Sequence, residues 1–158
     1  MNKTQAATRE PARSLPWDNP RFRNWIAVLR AEKAVVRALT QALAPLDLKL
    51  AQLDVLMNVY RHPDTSQHEL ARRLLVGRSN ITMALPELEK QGLLRREGDA
   101  NDKRVIRLSL TPKGEEKLMK ALAVYTDLLD KVLAQSSAQE CDMLGEIMHR
   151  IATSLETE

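Results

Sequence analysis

Between Ser66 and Leu110 the hydrophobic pattern switches from a helical to a strand-like period after Gly92, and this constrains the chain more than any other feature. Ser66-Gln67-His68-Glu69 is a capping box, in which the serine oxygen and the glutamate side chain satisfy each other's backbone donors. It opens a short helix carrying Leu70, Ala71 and Leu74. After a brief turn at Leu75-Val76-Gly77, residues 78–91 place Ile81, Leu85 and Leu88 inward, and Gly92 is positioned as a left-handed C-terminal stop. Two short helices joined by so brief a turn make a helix-turn-helix. Leu93–Glu97 and Lys103–Leu110 then read as strands around Gly98-Asp99-Ala100-Asn101, because Ile106, Leu108 and Leu110 alternate with Arg107 and Ser109.

The flanks are helical. Asn19-Pro20 is a helix start, with Asn as cap and Pro at the first helical position, and Phe22, Ile26, Leu29, Val36, Leu39 and Leu43 recur at helical spacing until Pro45. Leu53, Leu56, Met57 and Tyr60 form a second stripe that ends at His62-Pro63, since the residue before proline is disfavoured in the α region. Thr111-Pro112 caps a long helix bearing Leu118, Leu122, Tyr125, Leu129 and Val132. A second capping box, Ser137-Ala138-Gln139-Glu140, precedes Leu144, Ile147, Met148, Ile151 and Leu155. With aromatics at 3% and 5 glycines in 158 residues, the composition agrees with a mainly α chain carrying one small β-hairpin and excludes an all-β fold. Residues 1–18, polar with two prolines, read as a flexible N-terminal arm.

A helix-turn-helix followed by a basic hairpin is a winged helix, whose second short helix enters the major groove of double-stranded DNA while the hairpin reaches the adjacent minor groove or backbone. Arg78, Ser79, Asn80 and Thr82 cluster at the start of that second helix, where helix N-terminal N–H groups already favour phosphate. The hairpin sets Arg95, Arg96, Lys103, Arg104 and Arg107 against Glu97, Asp99 and Asp102. Residues 61–117 carry 12 basic and 9 acidic side chains, whereas residues 118–158 carry 3 and 7, so the positive charge does not lie in the tail. Catalysis finds no support: the chain lacks a glycine-rich phosphate loop, a nucleophile elbow and a histidine–carboxylate cluster. His62, His68 and His149 are too scattered for a metal site and Cys141 is the lone cysteine, reading as a small core residue, so no metal or cofactor is expected. No apolar run is long enough to cross a bilayer and no secretory h-region opens the chain, which implies a cytoplasmic protein without a membrane partner.

From about Leu46 to Gly114 these residues resemble the MarR-type winged-helix transcription regulators. The likeness is sharpest in LAQLDVLMNVYRHPDTSQHELARRLLVGRSNIT, in KQGLLRREGDANDKRVIRLSLTPKG, and in the Asp102-Lys103-Arg104 motif. The resemblance implies a mainly α winged helix-turn-helix with long N- and C-terminal dimerisation helices. It divides the chain into a dimerisation helix at 19–45, a DNA-binding lobe at 46–114 and C-terminal dimerisation helices at 115–158. It further implies a homodimer that binds a pseudo-palindromic site, is nucleoid-associated when bound, and represses transcription until a small aromatic or amphipathic effector binds. Arg104 is thereby assigned to the wing tip in the minor groove and Asp102 to bracing that wing. Ser79, Asn80 and Thr82 fall to the recognition helix, and Ser66, Gln67, Arg78, Met83 and Lys103 complete the DNA-contacting set. Trp25, Tyr60 and Tyr125 are the aromatic candidates for an effector cavity, although core packing explains them equally well.

The chain departs from the family pattern at Pro86, which cannot donate to the Thr82 carbonyl and predicts a kink near Thr82–Pro86. It also has Met83 and Glu87 where basic residues are common, and Gly77 where a Ser or Thr cap is usual. Pro86, Met83 and Glu87 together motivate an alternative, a winged-helix protein-interaction module with weakened or lost DNA binding.

Overall fold

The computed structural model describes residues 15–74 and 78–156, with the backbone alone for residues 78–80 and 156. Among these run α1 (Phe22–Leu43), α2 (Leu50–Arg61), α3 (Gln67–Arg73), α4 (Arg78–Lys90), β1 (Leu94–Gly98), β2 (Ile106–Leu110), α5 (Pro112–Leu133) and α6 (Ala138–Glu156), in the predicted order. Residues 1–14 of the expected arm and the turn at 75–77, with its Gly77 cap, lie outside the described residues. The chain divides into two compact units, Met1–Arg37 and Ala38–Glu158.

In the first unit, Pro16–Asp18, at the end of the expected flexible arm, form a turn of 3₁₀ helix. Asp18 Oδ2 accepts the Leu15 N–H at 2.9 Å while the Asp18 N–H donates to the Leu15 carbonyl at 2.9 Å. Asn19 acts as expected, its Oδ1 accepting the Arg21 N–H at 2.8 Å. The regular helix nevertheless begins at Phe22, two residues after Pro20, because Pro20 and Arg21 are held in a turn by the bond from the Phe22 N–H to the Asn19 carbonyl.

The core belongs to the second unit. α2 packs against α3, α4, α5 and β2, and so buries more than one stripe: Leu53, Val55, Leu56 and Val59 are each 2% exposed or less. Ile81, Ala84, Leu85 and Leu88 from α4 meet this helix together with Leu94, Leu108, Leu118 and Ala121. Two polar α2 side chains are buried with partners in place: Gln52 accepts the Lys49 N–H at 2.9 Å, and Asp54 accepts from Asn58 Nδ2 at 3.0 Å. The α6 stripe of Leu144, Ile147 and Leu155 finds no such cover, since all three side chains are exposed.

α4 runs unbroken through the proline expected to kink it. Pro86 lies on the exposed side of the helix, where water can satisfy the Thr82 carbonyl that it leaves without a donor. The helix then stops in a Schellman arrangement at Lys90, one residue before the predicted end. The Leu93 N–H reaches the Leu88 carbonyl, the Gly92 N–H reaches the Glu89 carbonyl, and Gly92 adopts φ 71°. The start of α5 closes on this stop. Thr111 Oγ1 donates to the Gly92 carbonyl at 2.6 Å and accepts the Gly114 N–H at 3.0 Å, while the Thr111 N–H donates to the Leu93 carbonyl at 3.1 Å. A Cβ on Gly114 would overlap the Leu93 carbonyl oxygen, so glycine there is dictated by the packing of α5 on this segment.

β1 and β2 pair antiparallel from Leu94↔Leu110 to Gly98↔Ile106, so the strands are Leu94–Gly98 and Ile106–Leu110 rather than Leu93–Glu97 and Lys103–Leu110. Residues 99–105 form a longer loop than expected because the Asp99 side chain organises it. Asp99 Oδ1 accepts the N–H groups of Asn101 (2.8 Å) and Asp102 (3.1 Å), and Oδ2 accepts from Arg107 Nε at 2.8 Å. Arg107 also donates to the Asp64 carbonyl at 3.1 Å, and β2 meets the entry to α3 through a bridge at Ser66 and the bond from the Leu108 N–H to the Thr65 carbonyl.

Two tests follow from this packing. Gly114→Ala lowers the urea unfolding free energy by about 2–4 kcal/mol, whereas Gly145→Ala in α6, where a Cβ meets open space, is neutral or stabilising by about 1 kcal/mol at most; equal losses would reject the close-approach account. The Arg107 hydrogen bond, followed by those from the Asn101 and Asp102 N–H groups, lowers the Asp99 carboxyl from its ordinary 3.8 to about 2. Because the folded-state value is depressed, this brace contributes fully above the ordinary value and is lost as pH falls through the interval from 3.8 to about 2. An NMR titration of Asp99 with its midpoint at 3.8 would show that the loop is not held this way.

Candidate nucleic-acid interface

α3, α4 and the loop between the strands enclose a cleft of ≈ 760 Å³, lined among others by Gln67, Arg72, Ile81, Thr82, Arg104 and Ile106. Each wall follows from local sequence. The capping box starts α3 at Gln67, with the Glu69 N–H bonded to Ser66 Oγ at 3.1 Å and the Ser66 N–H to Glu69 Oε2 at 2.8 Å. The Ser66 backbone N–H, and then its hydroxyl, hold the Glu69 carboxyl below the usual carboxylate range. Inward Ile81, Ala84, Leu85 and Leu88 leave Thr82, Met83 and Pro86 on the opposite side of α4.

The predicted site residues separate into groups. Thr82 and Arg104 line the same cleft, with the Arg104 side chain 93% exposed, and Lys103 sits exposed beside it in the loop. Gln67 is half-buried at the mouth of α3, and Met83 is 76% exposed on α4. Ser66 is turned inward: it is 9% exposed and its hydroxyl donates to Glu69 Oε2 at 2.9 Å, so it sets the start of α3. Arg78, Ser79 and Asn80 open α4, but their side chains lie outside the described residues. Asp102 Oδ1 accepts from the Arg104 N–H at 3.0 Å and from Arg104 Nε at 3.3 Å, tying the wing-tip residue to its own turn.

Ion pairs sort the remaining charges. Arg107 is tied to Asp99, Arg96 to Glu89 through Nε at 2.8 Å and Nη2 at 2.6 Å, and Lys49 to Glu87 at 3.0 Å. Arg73 donates to Thr65 Oγ1 at 2.9 Å. Among the described residues, Arg72, Arg95 and Lys103 have no ion-pair partner. Of the acidic side chains counted against the hairpin, Asp99 is engaged by Arg107 within the fold and Asp102 by the exposed Arg104. Asp99 and Arg107 were not distinguished as functional by sequence reasoning, although an aspartate opening a turn two residues before an asparagine is a signal for an Asx turn.

The effector candidates are dispersed. Trp25, 45% exposed, lies in the first unit beside a small hollow that includes Arg21 and Phe22. In the second unit Tyr60 is 48% exposed, while Tyr125 packs against the core. Cys141 is a free, half-buried thiol on α6, and no group of three or more metal-ligating side chains occurs among the described residues. No helix among the described residues is long and apolar enough to cross a membrane.

Comparison with known proteins places this arrangement. The sequence model of the MarR family matches residues 46–105, the segment that contains the cleft-forming elements. An uncharacterised HTH-type transcriptional regulator of Bacillus cereus is 31% identical over 131 residues, covering 80% of this chain and 85% of that protein. The HTH-type transcriptional repressor MdtR of Bacillus subtilis is 32% identical over 108 residues, 68% of this chain and 70% of the repressor. The solved structure of the transcriptional repressor CouR bound to a 23-mer DNA duplex matches with a TM-score of 0.73 at 31% identity, over 80% of this chain and 89% of that one. With its helix-turn-helix, its two-stranded wing and relatives of this identity and coverage, the chain belongs to the MarR family of DNA-binding transcriptional regulators, a family of regulators and not of enzymes.

Proposed function

We propose that the protein is a homodimeric, sequence-specific regulator that represses transcription from a pseudo-palindromic site and responds to a small-molecule effector. The observation that carries the reading is the joint placement of Thr82 on α4 and Arg104 on the wing loop along one cleft, with an exposed α4 surface beside it. This layout suits a helix reading base edges while the flanking loop meets the backbone or minor groove. On this reading Gln67, Arg78, Ser79, Asn80, Thr82, Met83, Lys103 and Arg104 contact DNA, and Ser66 and Asp102 position them. The protein acts in the cytoplasm, on the nucleoid. The interaction-module alternative keeps Pro86, Met83 and Glu87 as its supports, with the Glu87 carboxylate paired to Lys49 at 3.0 Å in a solvent-exposed contact.

The homodimer is supported by α6, a 19-residue amphipathic helix on which Met143, Leu144, Ile147 and Leu155 are exposed and no side chain is buried among those described. Such a helix gains little from propensity alone and is stabilised by burying its apolar stripe, which a second copy can supply. Leu129 and Val132 near the end of α5 are similarly exposed. The dimerisation segments would then be 19–45 and 115–158, with 46–114 as the DNA-binding lobe. The effector assignment rests on the family resemblance, with Trp25 in the first unit and Tyr60 and Tyr125 in the second as separate aromatic candidates.

Titration of fluorescent promoter DNA over a salt series tests the interface. Arg104→Ala weakens binding and reduces the slope of log K against log salt by about one for a lost phosphate contact; a variant that binds like wild type at every salt concentration would overturn the wing assignment. Sedimentation tests the dimer: wild type runs as two copies, and the double variant Leu144→Asp, Ile147→Asp runs as one. A wild-type protein that remains a single copy at micromolar concentration would reject the homodimer.

A further inference from the structure

We propose that Met83 is a specificity-determining residue that reads the 5-methyl group of a thymine in the major groove, an inference that rests on the DNA-binding reading above. No large apolar side chain among those described is more exposed than Met83, at 76%, although it lies on a helix whose opposite side is sealed into the core. By the helical period Thr82, Met83 and Pro86 form one outward surface, with Pro86 one turn beyond and between the other two. From Thr82 to Pro86 the helix carries no charged side chain. The next charge, Glu87, is paired with Lys49 at 3.0 Å.

The position of this apolar surface defines its partner. Thr82 shares the cleft with Arg104 and Arg72, cations suited to phosphate on that side of α4, while the middle of the helix offers a thioether and a proline ring. A methionine sulfur is a weak acceptor and no donor, and Pro86 contributes no N–H, so beside the Thr82 hydroxyl these two side chains offer a base pair apolar contact rather than hydrogen-bond donors. In the major groove the thymine methyl is the apolar group that distinguishes one natural pair from the others. The unbranched, flexible Met side chain can settle over that methyl without demanding one backbone geometry.

The full-length protein is used to select duplexes from a random library. Each thymine of a selected duplex is then replaced singly by deoxyuridine, which removes only the methyl group. At one thymine in each half-site the replacement weakens wild-type binding about fourfold, the value of one buried methyl-sized group. Met83→Leu retains that sensitivity and Met83→Ala loses it, and neither change disturbs the core because the side chain is exposed. The inference is overturned if every thymine tolerates the replacement, or if Met83→Ala remains as sensitive as wild type. Recovery of no bound duplex by folded protein at low salt is a different result, since it removes the DNA-binding reading itself.

Discussion

The second unit depends on the contact between the start of α5 and the end of α4. Thr111 gives its N–H and hydroxyl proton to the carbonyls of Leu93 and Gly92, and its hydroxyl oxygen receives the Gly114 N–H. Lys113 adds a bond to the Gln91 carbonyl at 2.8 Å. The same few atoms thus terminate α4, open β1, close β2 and cap α5. A threonine cap contributes about 1 kcal/mol, but here the larger effect is geometric. Only with glycine at 114 can α5 approach the Leu93 carbonyl closely enough for these bonds to form.

The wing shows how structural and functional charges separate within one short hairpin. The Asp99 side chain, 17% exposed, receives two backbone N–H groups and a guanidinium, an arrangement that shields the pair better than a surface ion pair. The Arg104 guanidinium, by contrast, keeps one long contact to Asp102, at 3.3 Å, and extends into solvent. A solvated pair of that kind contributes little to stability, so the arginine is available for a partner at small cost to the fold.

Features decided within a few residues were legible in the sequence. Both capping boxes form as read, at Ser66–Glu69 and Ser137–Glu140, and Gly92 takes the left-handed conformation assigned to it. Features decided by tertiary approach were not. The α2 stripe identified Leu53 and Leu56 but not Val55, Val59, Gln52 or Asp54, because enclosure on several sides leaves no polar face to mark a period. The hairpin loop was read too short because alternation locates strand residues and does not reveal that Asp99 ends the ladder. The α6 stripe was correctly periodic yet remained exposed, since a period shows that a face seeks cover and not which chain provides it. Within the site, residue chemistry nominated Thr82 and the family resemblance Arg104 and Met83, whereas the cleft that Thr82 and Arg104 share became visible only in three dimensions.

The continuity of α5 has a mechanical consequence. Its 22 residues run without interruption from the Thr111 contact to the exposed apolar end at Val132, a rod of about 33 Å at 1.5 Å per residue. A tilt of about five degrees at the far end of a rod this long displaces its near end by about 3 Å, close to the 3.4 Å rise of one base pair. Because α4 and both strands are fastened to that near end, they would travel with it, and a slight change of angle at one extremity becomes a slip of one register at the other.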